Sequence, residues 1–178
     1  MAKKKVRVTK KTTEVPGQLL INGISPKIPN KFFLVAGDAE GMTPLNAFDN
    51  GLIAAGVGNT NLIKLSSILP PNSKQIKPFK LPLGSLIPVA YASKVSTQTD
   101  EVISAAVAVA IPKDSNLNGL IMEYSAAGHK EEIEKIVRNM AAEGMRVRGY
   151  AVKEIKSIAA THRVKKIGAA YAAVVLWW

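Results

Sequence analysis

Between Glu101 and Ile111 the chain is built from alanine, valine, isoleucine and one serine, with no charge after the first residue. A run of small and β-branched residues this dense reads as a strand buried on both faces. Such a strand cannot lie at a surface, so the remaining segments must cover it. Hydrophobic residues make up 47% of the 178 positions, enough for a core of that kind in one domain.

The other segments supply the cover. Phe32 to Ala36, Asn61 to Leu69, Ser85 to Val95, Leu120 to Ser125, Val147 to Thr161 and Ile167 to Trp178 read as strands. Pro88 points to an edge or a bulge within its strand. The pair Pro70-Pro71 ends the strand before it, and Gly37 to Gly41 reads as a turn. Thr43-Pro44 has the form of an N-cap followed by proline at the first helical position. Leu45, Phe48, Leu52 and Ala55 then recur at helical spacing until Gly56 and Gly58. A second helix over about 130–143 carries Ile133, Ile136, Val137, Met140 and Ala141 as an apolar stripe, with Gly144 at its end. Strands mostly follow strands, with two helices set among them. That order predicts an α+β layered sandwich of two β-sheets flanked by helices, not alternating βαβ units. The ending Val174-Val175-Leu176-Trp177-Trp178 is too apolar for a free tail and belongs in a core or a subunit interface.

Charge and cysteine content narrow the chemistry. The net charge is +11, and Lys3, Lys4, Lys5, Arg7, Lys10 and Lys11 account for six of it, leaving a mildly basic remainder of +5. Residues 1–30 therefore read as a basic, flexible tail, and 31–178 as the single folded domain. The absence of Lys/Arg interleaved with aromatics argues against nucleic acid as a partner. Zero cysteine removes disulfides, thiolate metal sites and a cysteine nucleophile. No long uncharged apolar run and no signal-peptide pattern is present, so a cytoplasmic, membrane-free protein is expected.

Standard motifs are missing or incomplete. Gly56-Val57-Gly58 lacks the third glycine of a dinucleotide loop and follows a helix where that loop needs a strand. His129 and His162 stand apart with no metal-ligand spacing, so no metal is expected. His129 falls at a helix start and His162 at a strand end. A Ser-Ser pair at Ser66-Ser67 means little alone.

In its setting the pair means more. The segment from Gly58 through Asn61 and Leu65-Ser66-Ser67-Ile68 to Pro70-Pro71 resembles the processing site of pyruvoyl-dependent arginine decarboxylases. The resemblance continues through Ala36-Gly37, Glu40 to Asp49, Leu81 to Gly84, Ile103 to Ala106, Ala110 to Asp114, Gly119 to Tyr124 and Gly168-Ala169. It covers roughly 31–178 in order.

The resemblance implies a chain that cleaves itself into 1–66, the β chain, and 67–178, the α chain. Ser67 Oγ would attack the Ser66 carbonyl, with Asn61 assisting at the developing oxyanion. Elimination and hydrolysis would then leave a covalent pyruvoyl group at 67. That group would form an imine with the amino acid and act as electron sink in place of pyridoxal phosphate, with no metal. Glu123, on a buried strand, is assigned as the acid that returns a proton after carbon dioxide leaves. Leu45 and Asp49 share a helix face. The resemblance gives Asp49 the substrate's guanidinium, Leu45 its aliphatic stem, and Gly58 a place in the substrate site. It also implies arginine as substrate, agmatine as product, and trimers or hexamers of cleaved protomers with sites between neighbours. Three rivals are weighed against it: a pyruvoyl decarboxylase for another amino acid such as histidine, a non-catalytic basic binding protein, and a homologue that folds without maturing.

Overall fold

The computed structural model describes residues 27–178, which form nine strands and two helices. Most of the basic tail lies outside the described residues. Its last four positions are already tied to the domain: Asn30 N–H donates to the Trp177 carbonyl, and Asn30 C=O accepts from Lys74 N–H.

Strand β1 spans Lys31–Glu40. It runs through the segment expected to turn at Gly37, because all ten residues pair antiparallel with β9, Gly168–Trp177. Helix α1, Pro44–Ala54, begins as expected: Thr43 Oγ1 accepts from Asn46 N–H at 3.2 Å, and Pro44 occupies the first turn. The expected strand 61–69 is two strands, β2, Asn61–Lys64, and β3, Ile68–Leu69, separated by Leu65, Ser66 and Ser67. A short β4, Lys74–Gln75, follows, then β5, Leu86–Ser96. Pro88 sits where β5 pairs with β2 before its pairing with β9 begins at Val89, so the missing N–H breaks no central ladder.

The charge-free run is β6, Val102–Pro112, and it is buried along nearly its whole length. It lies between β7, Gly119–Ala127, and β8, Val152–Arg163. Helix α2, Lys130–Val147, is longer than expected. Gly144 does not end it. A Cβ there would stand 2.2 Å from Leu120 Cδ2, so this glycine is a contact point between helix and sheet. The turn comes at Gly149, whose φ is +68°. The buried stripe is Ile133, Val137, Ala141 and Met145, while Ile136 is 40% exposed.

The strands form two sheets, ordered β2-β5-β9-β1-β4 and β3-β7-β6-β8. Phe32, Leu34, Ala90, Val107, Val109, Ile121 and Val174 fill the layer between them. Helix α1 covers the outer face of the first sheet with Leu52 and Ala55 against Phe33, Val89 and Tyr171. Helix α2 covers the outer face of the second over Ala106, Ala108 and Leu120. This is the expected α+β sandwich, and β6 has cover on both faces. The C-terminal Val174, Val175 and Leu176 are buried core residues, as their composition required. Among the described residues no helix is long and apolar enough to cross a membrane.

Candidate active site

The two sheets each have an edge on the same side of the sandwich, and the chain passes from one to the other there. Strand β2 is parallel to β5 at the edge of the first sheet, and β3 is antiparallel to β7 at the edge of the second. Leu65 still belongs to the first sheet, since its N–H donates to the Val89 carbonyl at 2.9 Å. Ser67 already belongs to the second, since its carbonyl accepts from Ile121 N–H at 2.8 Å. The Ser66–Ser67 peptide is therefore the crossing point. The turn it requires puts Ser67 at φ +78°, a region that non-glycine residues occupy at a cost of roughly 1–2 kcal/mol.

That backbone turn aims the two serines at different surroundings. Ser66 lines an apolar groove of about 360 Å³ with Leu65, Ile68, Pro88, Leu176 and Trp178. Ser67 points at Glu123, its Oγ lying 3.0 and 2.9 Å from the two carboxylate oxygens. Glu123 stands opposite Val107 on β6, which fixes its side chain on the inter-sheet face. Burial pushes its carboxyl above the ordinary range; the Ser67 hydrogen bond and the charge of Lys64 oppose this without cancelling it. Glu123 opens onto a cavity of about 270 Å³ shared with Lys64, Tyr91, Ala92, Ser93, Tyr124 and Ser125. Ser125 Oγ donates to the Ser93 carbonyl at 2.9 Å, tying β7 to β5 across the layers at this mouth.

The remaining sequence-assigned residues stand apart from this pair within one chain. The Asn61 amide donates to the Gly84 carbonyl at 2.9 Å, at the start of β2. Leu45 and Asp49 are exposed on α1, Leu45 by 74%, and neither lines the cavity. Gly58 packs on the end of α1, where a Cβ would meet Ile53 Cγ1 at 2.6 Å. His129 is at the N-terminus of α2 without a side-chain cap.

Lys64, Tyr91 and Ser93 escaped the sequence reading. Lys64 reads as an ordinary strand charge, and only the break at Leu65 reveals that it stands at the site. A second polar cluster was also missed. His162 Nδ1 lies 2.8 Å from Asp38 and Nε2 2.7 Å from Glu40, and Glu40 also accepts from the N–H groups of Lys165, Lys166 and Ile167. Asp38 and Glu40 are two apart on one strand face, a signal hidden by reading 37–41 as a turn. Among the described residues no cluster of three ligating side chains fits a metal ion.

A hydroxyl aimed at a half-buried carboxyl, on a strained link between two sheets, suits a serine that becomes a prosthetic group in place. Residues 31–177 match the family described as pyruvoyl-dependent arginine decarboxylase. The chain is 53% identical over 152 residues to the protein of that name from Methanocaldococcus jannaschii, covering 85% of this chain and 92% of the relative. It is 46% identical over 152 residues to the one from Pyrococcus abyssi, covering 84% and 96%. This chain belongs to the pyruvoyl-dependent arginine decarboxylase family.

Proposed function

We propose that the chain is the precursor of a two-chain enzyme, cut between Ser66 and Ser67, that converts arginine to agmatine and carbon dioxide. The observation that carries this reading is the placement of Ser67: left-handed backbone, sheet-to-sheet crossing, hydroxyl against Glu123. Glu123 can take the Ser67 proton as Oγ adds to the Ser66 carbonyl carbon. The C–N bond then breaks as Glu123 gives that proton to the nitrogen of residue 67, leaving a free amine there and an ester joining the two halves. Loss of the Cα proton and breakage of the Cβ–O bond release Ser66 as a free carboxylate. Water then replaces nitrogen at position 67, and ammonia leaves. Asn61 is the assigned donor to the oxyanion at Ser66, a role that requires its amide to turn away from the Gly84 carbonyl.

The residues present fit the group so formed. The side chain at position 67 meets Glu123, and Glu123 lines a cavity of about 270 Å³ beside it. The ketone, once made, supplies the electron sink for decarboxylation. Glu123 holds the proton that replaces carbon dioxide on the substrate, and burial favours its protonated form. Asp49 pairs with the guanidinium and Leu45 packs on the methylene stem, beside Gly58. Their exposed position in one chain supports a trimer, or paired trimers, in which α1 of one protomer covers the Ser67 site of the next. Exposed Leu83 and Leu86, at 76% and 63%, are further apolar surface for such an interface. A chain without cysteine is compatible with a cytoplasmic enzyme.

Intact-mass spectrometry together with a carbon dioxide release assay tests the reading. Fragments of 1–66 and a modified 67–178, with arginine preferred over histidine, lysine, ornithine and aspartate, are expected. A single intact mass after long incubation refutes self-cleavage, and histidine outperforming arginine refutes the substrate.

A further inference from the structure

Glu123 must be ionised when it accepts the Ser67 proton, yet its burial favours the neutral acid. Something nearby has to hold the charge. The groups facing Glu123 come from each surrounding element. Ser67 on the crossing offers a hydroxyl, Val107 on β6 is apolar, Ser125 on β7 is neutral, and β5 presents Tyr91 and Ser93. Tyr124 also reaches the cavity rim. Lys64 is the cationic residue lining this cavity. It is the last residue of β2, directly before the chain leaves the first sheet, and its Nζ lies 4.7 Å from the centroid of the Tyr91 ring. Among the described residues it has no carboxylate within ion-pair distance, so no other anion competes for it at close range.

We propose that Lys64 is a positioning residue for the reaction: seated on the face of Tyr91, its ammonium is the counter-ion that keeps Glu123 ionised for attack by Ser67. A cation over an aromatic face is attracted by the negative face of the ring, which favours this position for Lys64. From there it acts on Glu123 through space, leaving the carboxylate oxygens free for the hydroxyl and, later, for the substrate's proton. The charge of Lys64 opposes the burial of Glu123 in the direction this role needs. The role rests on Glu123 serving as base in self-cleavage.

The test measures cleavage rate against pH for freshly synthesised, pulse-labelled chain, comparing wild type with Lys64→Met and Lys64→Arg. Loss of the cation should move the acid limb upward by about 0.5–1 pH unit, slowing cleavage about three- to tenfold on that limb. Lys64→Arg, which keeps the charge, should follow wild type. An unshifted Lys64→Met profile overturns the proposal, and so does a Lys64→Arg profile displaced as far as that of Lys64→Met. A second arm uses uncleavable Ser67→Ala chains and follows the Glu123 carboxyl by ¹³C NMR titration. Its pKa should rise by a similar amount when Lys64 becomes Met, and no change overturns the proposal. If the wild type never cleaves, the self-processing reading falls, and the titration still decides whether Lys64 is the counter-ion of Glu123.

Discussion

Ser67 Oγ sits astride the Glu123 carboxylate, 3.0 and 2.9 Å from its two oxygens, although the residues lie 56 positions apart in the chain. The contact exists in the uncleaved chain. It therefore engages Glu123 before any substrate arrives, as the proposed role of this residue in maturation requires.

Glu123→Gln keeps the shape and loses the base. Cleavage should slow, and decarboxylation by whatever chain is cleaved should fall by about 10²-fold or more, the usual contribution of a positioned acid–base group. Denaturing electrophoresis over time gives the first quantity and carbon dioxide release the second. Cleavage at the wild-type rate would confine Glu123 to the later step.

Ser67→Ala and Ser67→Gly should both remain single chains, because the attacking oxygen is gone. They should differ in stability. The +78° φ at this position strains alanine and suits glycine, so the glycine variant should be the more stable by about 1 kcal/mol. Chemical denaturation of the two uncut chains makes the comparison. Equal midpoints would mean that the turn relaxes when the hydroxyl is removed.

Asp49→Asn should leave cleavage intact and raise the KM for arginine about ten- to a hundredfold, the loss expected for one charge-assisted contact of about 1.5–3 kcal/mol. A KM equal to wild type would assign the guanidinium to another carboxylate.

The Asp38–His162–Glu40 cluster should make stability depend on pH at both ends. Hydrogen bonds from Lys165 N–H and from His162, with those from Lys166 and Ile167 N–H, lower the Glu40 pKa from 4.5 to about 2, against a small opposing effect of burial. Its contribution is present above 4.5 and is lost as pH falls toward 2. For His162, burial opposes the charged form, but hydrogen bonds and charge from Glu40 and Asp38 outweigh it and raise the pKa above 6.5. Its contribution is complete below 6.5 and fades as pH rises through the raised folded value. Thermal melts of the Ser67→Ala chain across pH, with and without Glu40→Gln, measure both. The acid-side loss between 4.5 and 2 should shrink in the glutamine variant.

Removing residues 1–26 should leave cleavage and turnover unchanged. Extending the deletion through Asn30 should destabilise the domain, since the bonds from Asn30 N–H to the Trp177 carbonyl, from Lys74 N–H to the Asn30 carbonyl, and from Trp178 Nε1 to the Lys27 carbonyl are lost. Melting temperatures of the two truncations check this. Equal values would make 27–30 as dispensable as the rest of the tail.

Local chemistry was legible where the cause was local. Thr43-Pro44 announced α1, and the charge-free run announced β6, because capping and burial leave their mark in adjacent residues. Gly144 misled, because a glycine that ends a helix and one that lets a helix approach Leu120 look alike in sequence. Gly37 misled for the matching reason, since pairing with Tyr171 on β9 overrides a turn-forming composition. Ser66 and Ser67 were found by resemblance, Lys64 carried no local signal, and the strand spacing of Asp38 and Glu40 was masked by the turn-like composition of 37–41.

By itself, then, the sequence determined the elements, their layering into an α+β sandwich, the family and the serine at its centre. These follow from periodicity, composition and an ordered set of motifs, all read along the chain. Tertiary structure decided where β2 gives way to β3, which face of β7 carries Glu123, and which cation shares its cavity. Those outcomes depend on two sheets presenting their edges on one side, which brings Lys64 of β2, Tyr91 of β5 and Glu123 of β7 together with Ser67 on the link between β2 and β3. Contacts of that kind arise from the packing of distant segments, so no window of adjacent residues encodes them.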